Sequence, residues 1–157
     1  MNRLRKIRLL LSYDHRTVLL FAEAFLFLGW ARMLLVFPFA KIAPSLGSKT
    51  AETSNELQPQ EVRIIKSISS AVNIVSRHTV WDSKCLVRAI AGMKMLQRRH
   101  IGSTLYLGTA RDGSGRLIAH AWLRSGPLYI TGDDVMRKFA VVETFAQSAG
   151  MPRRNAQ

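Results

Sequence analysis

The chain contains a single cysteine, Cys85, in 157 residues. That scarcity excludes an intrachain disulfide framework and any zinc cluster built on cysteine, and it fits a reducing cytoplasm. A reactive thiol stays open. Acidic side chains are also scarce, Asp and Glu numbering 10 against 23 Lys and Arg, which leaves a formal net charge of +13. An excess of that sign points to anionic membranes, nucleic acid or acidic peptides as partners. Arginines are nevertheless scattered from Arg3 to Arg154 with no recognisable nucleic-acid motif, so nucleic acid is not expected. Gly-rich phosphate loops and metal-ligand clusters are missing too, and no cofactor or metal is expected.

What is present is apolar: 48% of the residues are hydrophobic, enough for one compact domain with a real core and no second catalytic domain. The pattern divides the chain into a basic arm with an apolar helix (1–45), a linker (46–60), a globular core (61–150) and a basic tail (151–157). The arm, MNRLRKIRLLLSYDHR, leads into an apolar run over Thr17 to Ala40. Glu23 and Arg32 interrupt that run and no small-residue cleavage site follows it, which argues against an export signal. It is about long enough to cross a bilayer. Each central charge, however, costs roughly 2.5–3.5 kcal/mol against about 0.3–0.6 returned per Leu or Phe. The reading adopted is one long helix stopped by Pro38 and Pro44, packed as core or docking surface, with peripheral membrane contact or a true span as the alternatives.

After the polar 46–60 stretch, Pro59-Gln60-Glu61 opens a second helix, in which Val62, Ile65, Ile68, Val72 and Val75 recur at helical spacing. A third begins in WDSKCLVRAIAGMKMLQRRHIG. Asp82 or Ser83 can cap it, Leu86, Ala89, Ile90, Met93 and Leu96 line one face, and Gly102 ends it. Cys85 therefore falls in the first turn, where free amides and the positive end of the helix dipole favour a thiolate and an oxyanion. A buried, inert cysteine is the plain alternative.

The remainder reads as strands: STLYLGT, the turn RDGSG, RLIAHAWLR, an SGP turn and LYITGDD. The fold class is therefore α+β, helices followed by an antiparallel sheet. Alternation places Ile118, His120 and Trp122 on one face and Ala119, Ala121 and Leu123 on the other. The acidic partner of His120 depends on the hairpin. A two-residue Ser125-Gly126 turn puts His120 opposite Thr131 with Asp133 one diagonal step away, whereas a three-residue loop favours Asp134. Ser-Gly suits a tight turn better, which favours Asp133. His15, His78 and His100 are expected at the surface.

Cysteine on a helix, histidine on a strand and a carboxylate after the next is the order found in transglutaminase-like cysteine hydrolases. More specifically, W-x-x-x-C-L-x-R-A, then Arg98-Arg99-His100-Ile101-Gly102 with its Leu-x-Leu-Gly strand, then Ala119-His120-Ala121-Trp122 resemble the B proteins of lasso-peptide biosynthesis over residues of about 60 to 145. The resemblance implies a transglutaminase-like, papain-like core acting as a cysteine leader peptidase. Its triad would be Cys85 as nucleophile, His120 as general base and acid, and Asp133 as orienter. It also implies a precursor-peptide substrate, an asparagine-synthetase-like cyclase that closes the ring, and, since no strand pattern precedes Cys85, a separate leader-recognition protein. The competing readings are a noncatalytic basic scaffold and a membrane-peripheral interaction protein.

Overall fold

The computed structural model describes residues 14–150, so most of the basic arm and all of the basic tail lie outside the described residues. Four helices and one five-stranded sheet follow: α1 (His15–Leu34), α2 (Phe39–Ile42) running into a 3-10 turn (Ala43–Leu46), β1 (Ser48–Lys49), α3 (Pro59–Ser76), α4 (Cys85–Gln97), β2 (Ser103–Arg111), β3 (Leu117–Ser125), β4 (Leu128–Thr131) and β5 (Ala140–Gln147). This is the α+β arrangement expected. The sheet is antiparallel throughout, ordered β1-β5-β2-β3-β4.

α4 is the centre of the molecule. From Val87 to Leu96 almost every side chain is buried. One flank meets α1 and α3; another meets Leu105, Ala121, Leu123, Ile130 and Phe145 of the sheet in a single core cluster. Leu86, expected on the buried stripe, is half-buried instead. The helix ends at Gln97 and a turn through His100 closes it, ahead of Gly102. His100 takes the left-handed φ of +57° while the amides of His100 and Ile101 return to Gln97 and Leu96 at 3.1 Å each, which satisfies the last carbonyls.

The expected apolar helix is α1, but it stops at Leu34, and the amides of Val36 and Phe37 turn back to Met33 and Leu34 at 3.1 Å each ahead of Pro38. Ala24, Leu28 and Ala31 are fully buried in the shared core, so α1 is an integral layer of the domain. Glu23, which interrupts the apolar run in sequence, forms a two-pronged pair with Arg99 at 2.9 and 2.6 Å, and Arg98 approaches at 3.4 Å. α3 begins at Pro59 as the sequence indicates. The Gln58 amide donates to the Glu61 carboxylate at 2.7 Å, and Ile65, Ile68, Ala71, Val72 and Val75 are buried.

Residues 46–60 adhere to the sheet. β1 pairs with Ala146 and Phe145 of β5, a short strand ahead of Cys85 that the sequence pattern did not suggest. The segment after it reaches the outer sheet face: the Thr53 amide donates to Thr104 Oγ1 at 2.9 Å. Arg124, 6% exposed, donates to the Glu52 carboxylate at 3.0 Å, the Tyr106 hydroxyl at 2.8 Å, the Gly126 carbonyl at 2.7 Å and the Asn55 side chain. Burial holds the Tyr106 phenol above its usual pKa, and its proton goes to Glu52 at 2.8 Å.

The β3–β4 hairpin follows neither expected register. Ser125 pairs with Leu128, so the turn is Gly126-Pro127. Gly126 supplies a φ of +54° at the first turn position, and proline fixes the next. The register then shifts between Leu123 and Arg124, which leaves Ile130 as the extra residue and pairs Leu123 with Thr131. The carbonyl of Ile130 turns away to α3, where Ser69 and Asn73 donate to it at 2.8 and 3.0 Å. Those two side chains cap what would otherwise be an open sheet edge.

Candidate active site

Cys85 is the first residue of α4 and half-buried against the core. Neither Asp82 nor Ser83 caps the helix. Lys84 occupies the cap position without a side-chain bond, Asp82 pairs with Lys84 at 3.2 Å, and Ser83 Oγ lies 2.8 Å from Thr79 Oγ1. As a result the amides of Cys85, Leu86 and Val87 have no hydrogen-bond acceptor among the described residues. Uncapped amides at a helix start are the groups that can hold an oxyanion. Trp81, four residues earlier, anchors the approach to this turn: its ring lies 5.0 Å from that of Phe25 on α1.

His120 lies on β3, opposite Gly108 of β2 and on the sheet face away from Ala121 and Leu123. Its ring lies 5.0 Å from that of Phe139 and 6.0 Å from Trp122, and Trp122 stacks on Tyr106 at 5.5 Å. The bare Cα of Gly108 leaves room for this group, since a Cβ there would fall 2.8 Å from the Trp122 ring.

The decisive contact of the imidazole is Nε2 to the Gly132 carbonyl, at 2.9 Å. A carbonyl can only accept, so a neutral His120 carries its proton on Nε2. Nδ1 is then left with the lone pair a general base needs. Asp133 and Asp134 follow directly in the chain. Both are exposed, and neither hydrogen-bonds to His120. Cys85 Sγ has no hydrogen-bond partner among the described residues either, so thiol and imidazole are not joined in this resting geometry.

Three features were not legible in the sequence. The first is the Gly132 carbonyl, for which a glycine before two aspartates was the only signal. The second is an open pocket of about 370 Å³ next to Phe139, lined by the apolar Ala110, Ile118 and Val135 with the charged Arg111, Asp112 and Lys138. The third is Arg88, one turn beyond Cys85, whose Nη1 lies 3.5 Å from Asn73 Oδ1 while its Nε is buried without a partner. No group of three His, Cys, Asp or Glu side chains converges among the described residues. His15, His78 and His100 are exposed.

A family model described as the transglutaminase-like superfamily matches residues 25–144, which include α4, the second half of α1 and the sheet up to the middle of β5. The chain belongs to the transglutaminase-like superfamily. Neither the curated proteins nor the solved structures compared with it gave a match. Membership in the transglutaminase-like superfamily, which includes cysteine proteases, agrees with a cysteine at a helix start and a histidine on a strand of the sheet. It also places α1 inside the family's domain, from residue 25 onward.

Proposed function

We propose that the protein is a cysteine leader peptidase that acts in the cytoplasm on the precursor of a lasso peptide, ahead of ring closure by a separate asparagine-synthetase-like cyclase. The observation that carries the chemistry is the Nε2 contact of His120 with the Gly132 carbonyl, because it leaves Nδ1 as the proton acceptor. The narrower assignment rests on the CLVRA and AHAW motifs at Cys85 and His120.

In this mechanism Cys85 Sγ, packed against the core, and Nδ1 of His120, on the opposite face of β3, must be brought together by a rearrangement in the substrate complex. His120 removes the thiol proton and the thiolate attacks the scissile carbonyl. The uncapped amides at the start of α4 receive the oxyanion. The imidazolium then protonates the leaving amine, and water, activated by the same ring, resolves the thioester. The Gly132 carbonyl orients the ring, and Asp133 next to it offsets the positive charge that develops. The pocket next to Phe139 accepts an apolar side chain flanking the cut. A separate leader-recognition protein delivers the precursor.

The test is purified protein mixed with the precursor and the leader-recognition protein, with products followed by mass spectrometry. Cleavage at one junction by the native chain and none by Cys85→Ala is the expected result; equal cleavage by both would sink the mechanism.

A further inference from the structure

α1 exposes more apolar surface than its place in the core accounts for. Ala24, Leu28 and Ala31 face inward, yet Leu19, Leu26 and Met33, seven residues apart, are 66%, 69% and 68% exposed, and Phe37 just beyond the helix is 60% exposed. A helix with one buried face normally turns charge to the water on the other. Here the outward stripe from Leu19 to Met33 is apolar for about 21 Å. α1 has one acidic residue, Glu23, and Arg99 and Arg98 neutralise it.

Positive charge borders the same stripe. A groove of about 510 Å³ between α1 and α3 is lined by Arg16, Arg63 and the Glu23–Arg99 pair together with Leu19, Leu20 and Ile64. Lys66 joins Arg16 in an adjoining groove. Among the described residues, Arg16, Arg63 and Lys66 form no ion pair. Trp30, 42% exposed, has Lys94 5.7 Å from its ring, a pairing suited to the boundary between lipid and water. The sequence before Asp14 adds Arg3, Arg5, Lys6 and Arg8.

We propose that this face rests on an anionic bilayer, with the Leu19–Leu26–Met33 stripe at the acyl boundary and the basic groove on lipid phosphates. The proposal is independent of peptide cleavage. A second copy of the chain would bring the same unpaired cations face to face, whereas anionic lipid answers both the apolar stripe and the charge. Crossing the bilayer would tear Ala24, Leu28 and Ala31 out of the core and carry Glu23 with it.

The experiment is co-sedimentation of the full chain with phosphatidylcholine vesicles, with and without phosphatidylglycerol. Binding only to the vesicles containing phosphatidylglycerol, released by high salt, is expected. Leu26→Glu and Arg63→Glu should each weaken it at least about tenfold while leaving circular dichroism unchanged. The proposal fails if the native chain ignores anionic vesicles, or if Leu26→Glu binds as well as native. It fails equally if bound protein resists alkaline extraction, which would mark a span, or if Leu26→Glu only dissolves a dimer that never bound vesicles.

Discussion

At the scale of single residues the proposed chemistry rests on two side chains and one backbone oxygen. His120→Ala should reduce turnover by at least about a hundredfold with KM nearly unchanged, because the base acts in the transition state. Gly132 makes a sharper test. Its φ is +77°, and a Cβ there would sit 2.9 Å from His120 Nε2 and 2.6 Å from the Ala121 carbonyl. Gly132→Ala is therefore expected to cost more than about 1 kcal/mol of stability in urea unfolding and to displace the imidazole, so kcat per folded molecule falls. Asp133→Asn, with the carbonyl contact intact, should lower kcat about tenfold, and Asp134→Asn should leave it near native. The reverse order would move the charge-balancing role to Asp134.

At the scale of elements, the hairpin decides where His120 points, and the segment before α3 is clamped to the same sheet face. The bulge at Ile130 and the Gly126-Pro127 turn shift β4 relative to β3, and the Gly132 carbonyl arrives at the imidazole where a strand partner was expected. Arg124 ties the 52–55 segment to the same sheet face from a buried position. Arg124→Met should lower stability by about 3 kcal/mol in a denaturant melt, since its carbonyl and side-chain acceptors lose their donor together. A loss under about 0.5 kcal/mol would mean the segment is held elsewhere. None of this was legible in advance. Residues 46–60 are polar and carry no period, and a clamp made of single long-range hydrogen bonds leaves no local pattern.

At the scale of the whole molecule, α1 serves two surfaces. Its inner residues complete the core over α3 and α4, so deletion of residues 1–40 should give insoluble or molten protein, judged by recovery in the soluble fraction and by near-ultraviolet circular dichroism. A folded, soluble deletion variant would show that α1 is an appendage. Its outer stripe, bordered by cations, is the face proposed to meet anionic lipid.

The helices and strands were legible because each obeys a local rule. Ile65, Ile68, Val72 and Val75 repeat at the helical period, Pro59 opens a helix, and His120 and Trp122 alternate with Ala121 and Leu123. Such patterns arise from neighbours along the chain, and they determined the α+β class, the first-turn position of Cys85 and the strand that carries His120. Tertiary structure decided the rest: the uncapped start of α4, the oxygen that holds His120, the partner of Glu23 and the exposed side of α1. Each of these depends on which distant segment arrives at a given atom. Burial and hydrogen-bond completion choose that arrival over the whole fold, and no single stretch of sequence records the choice.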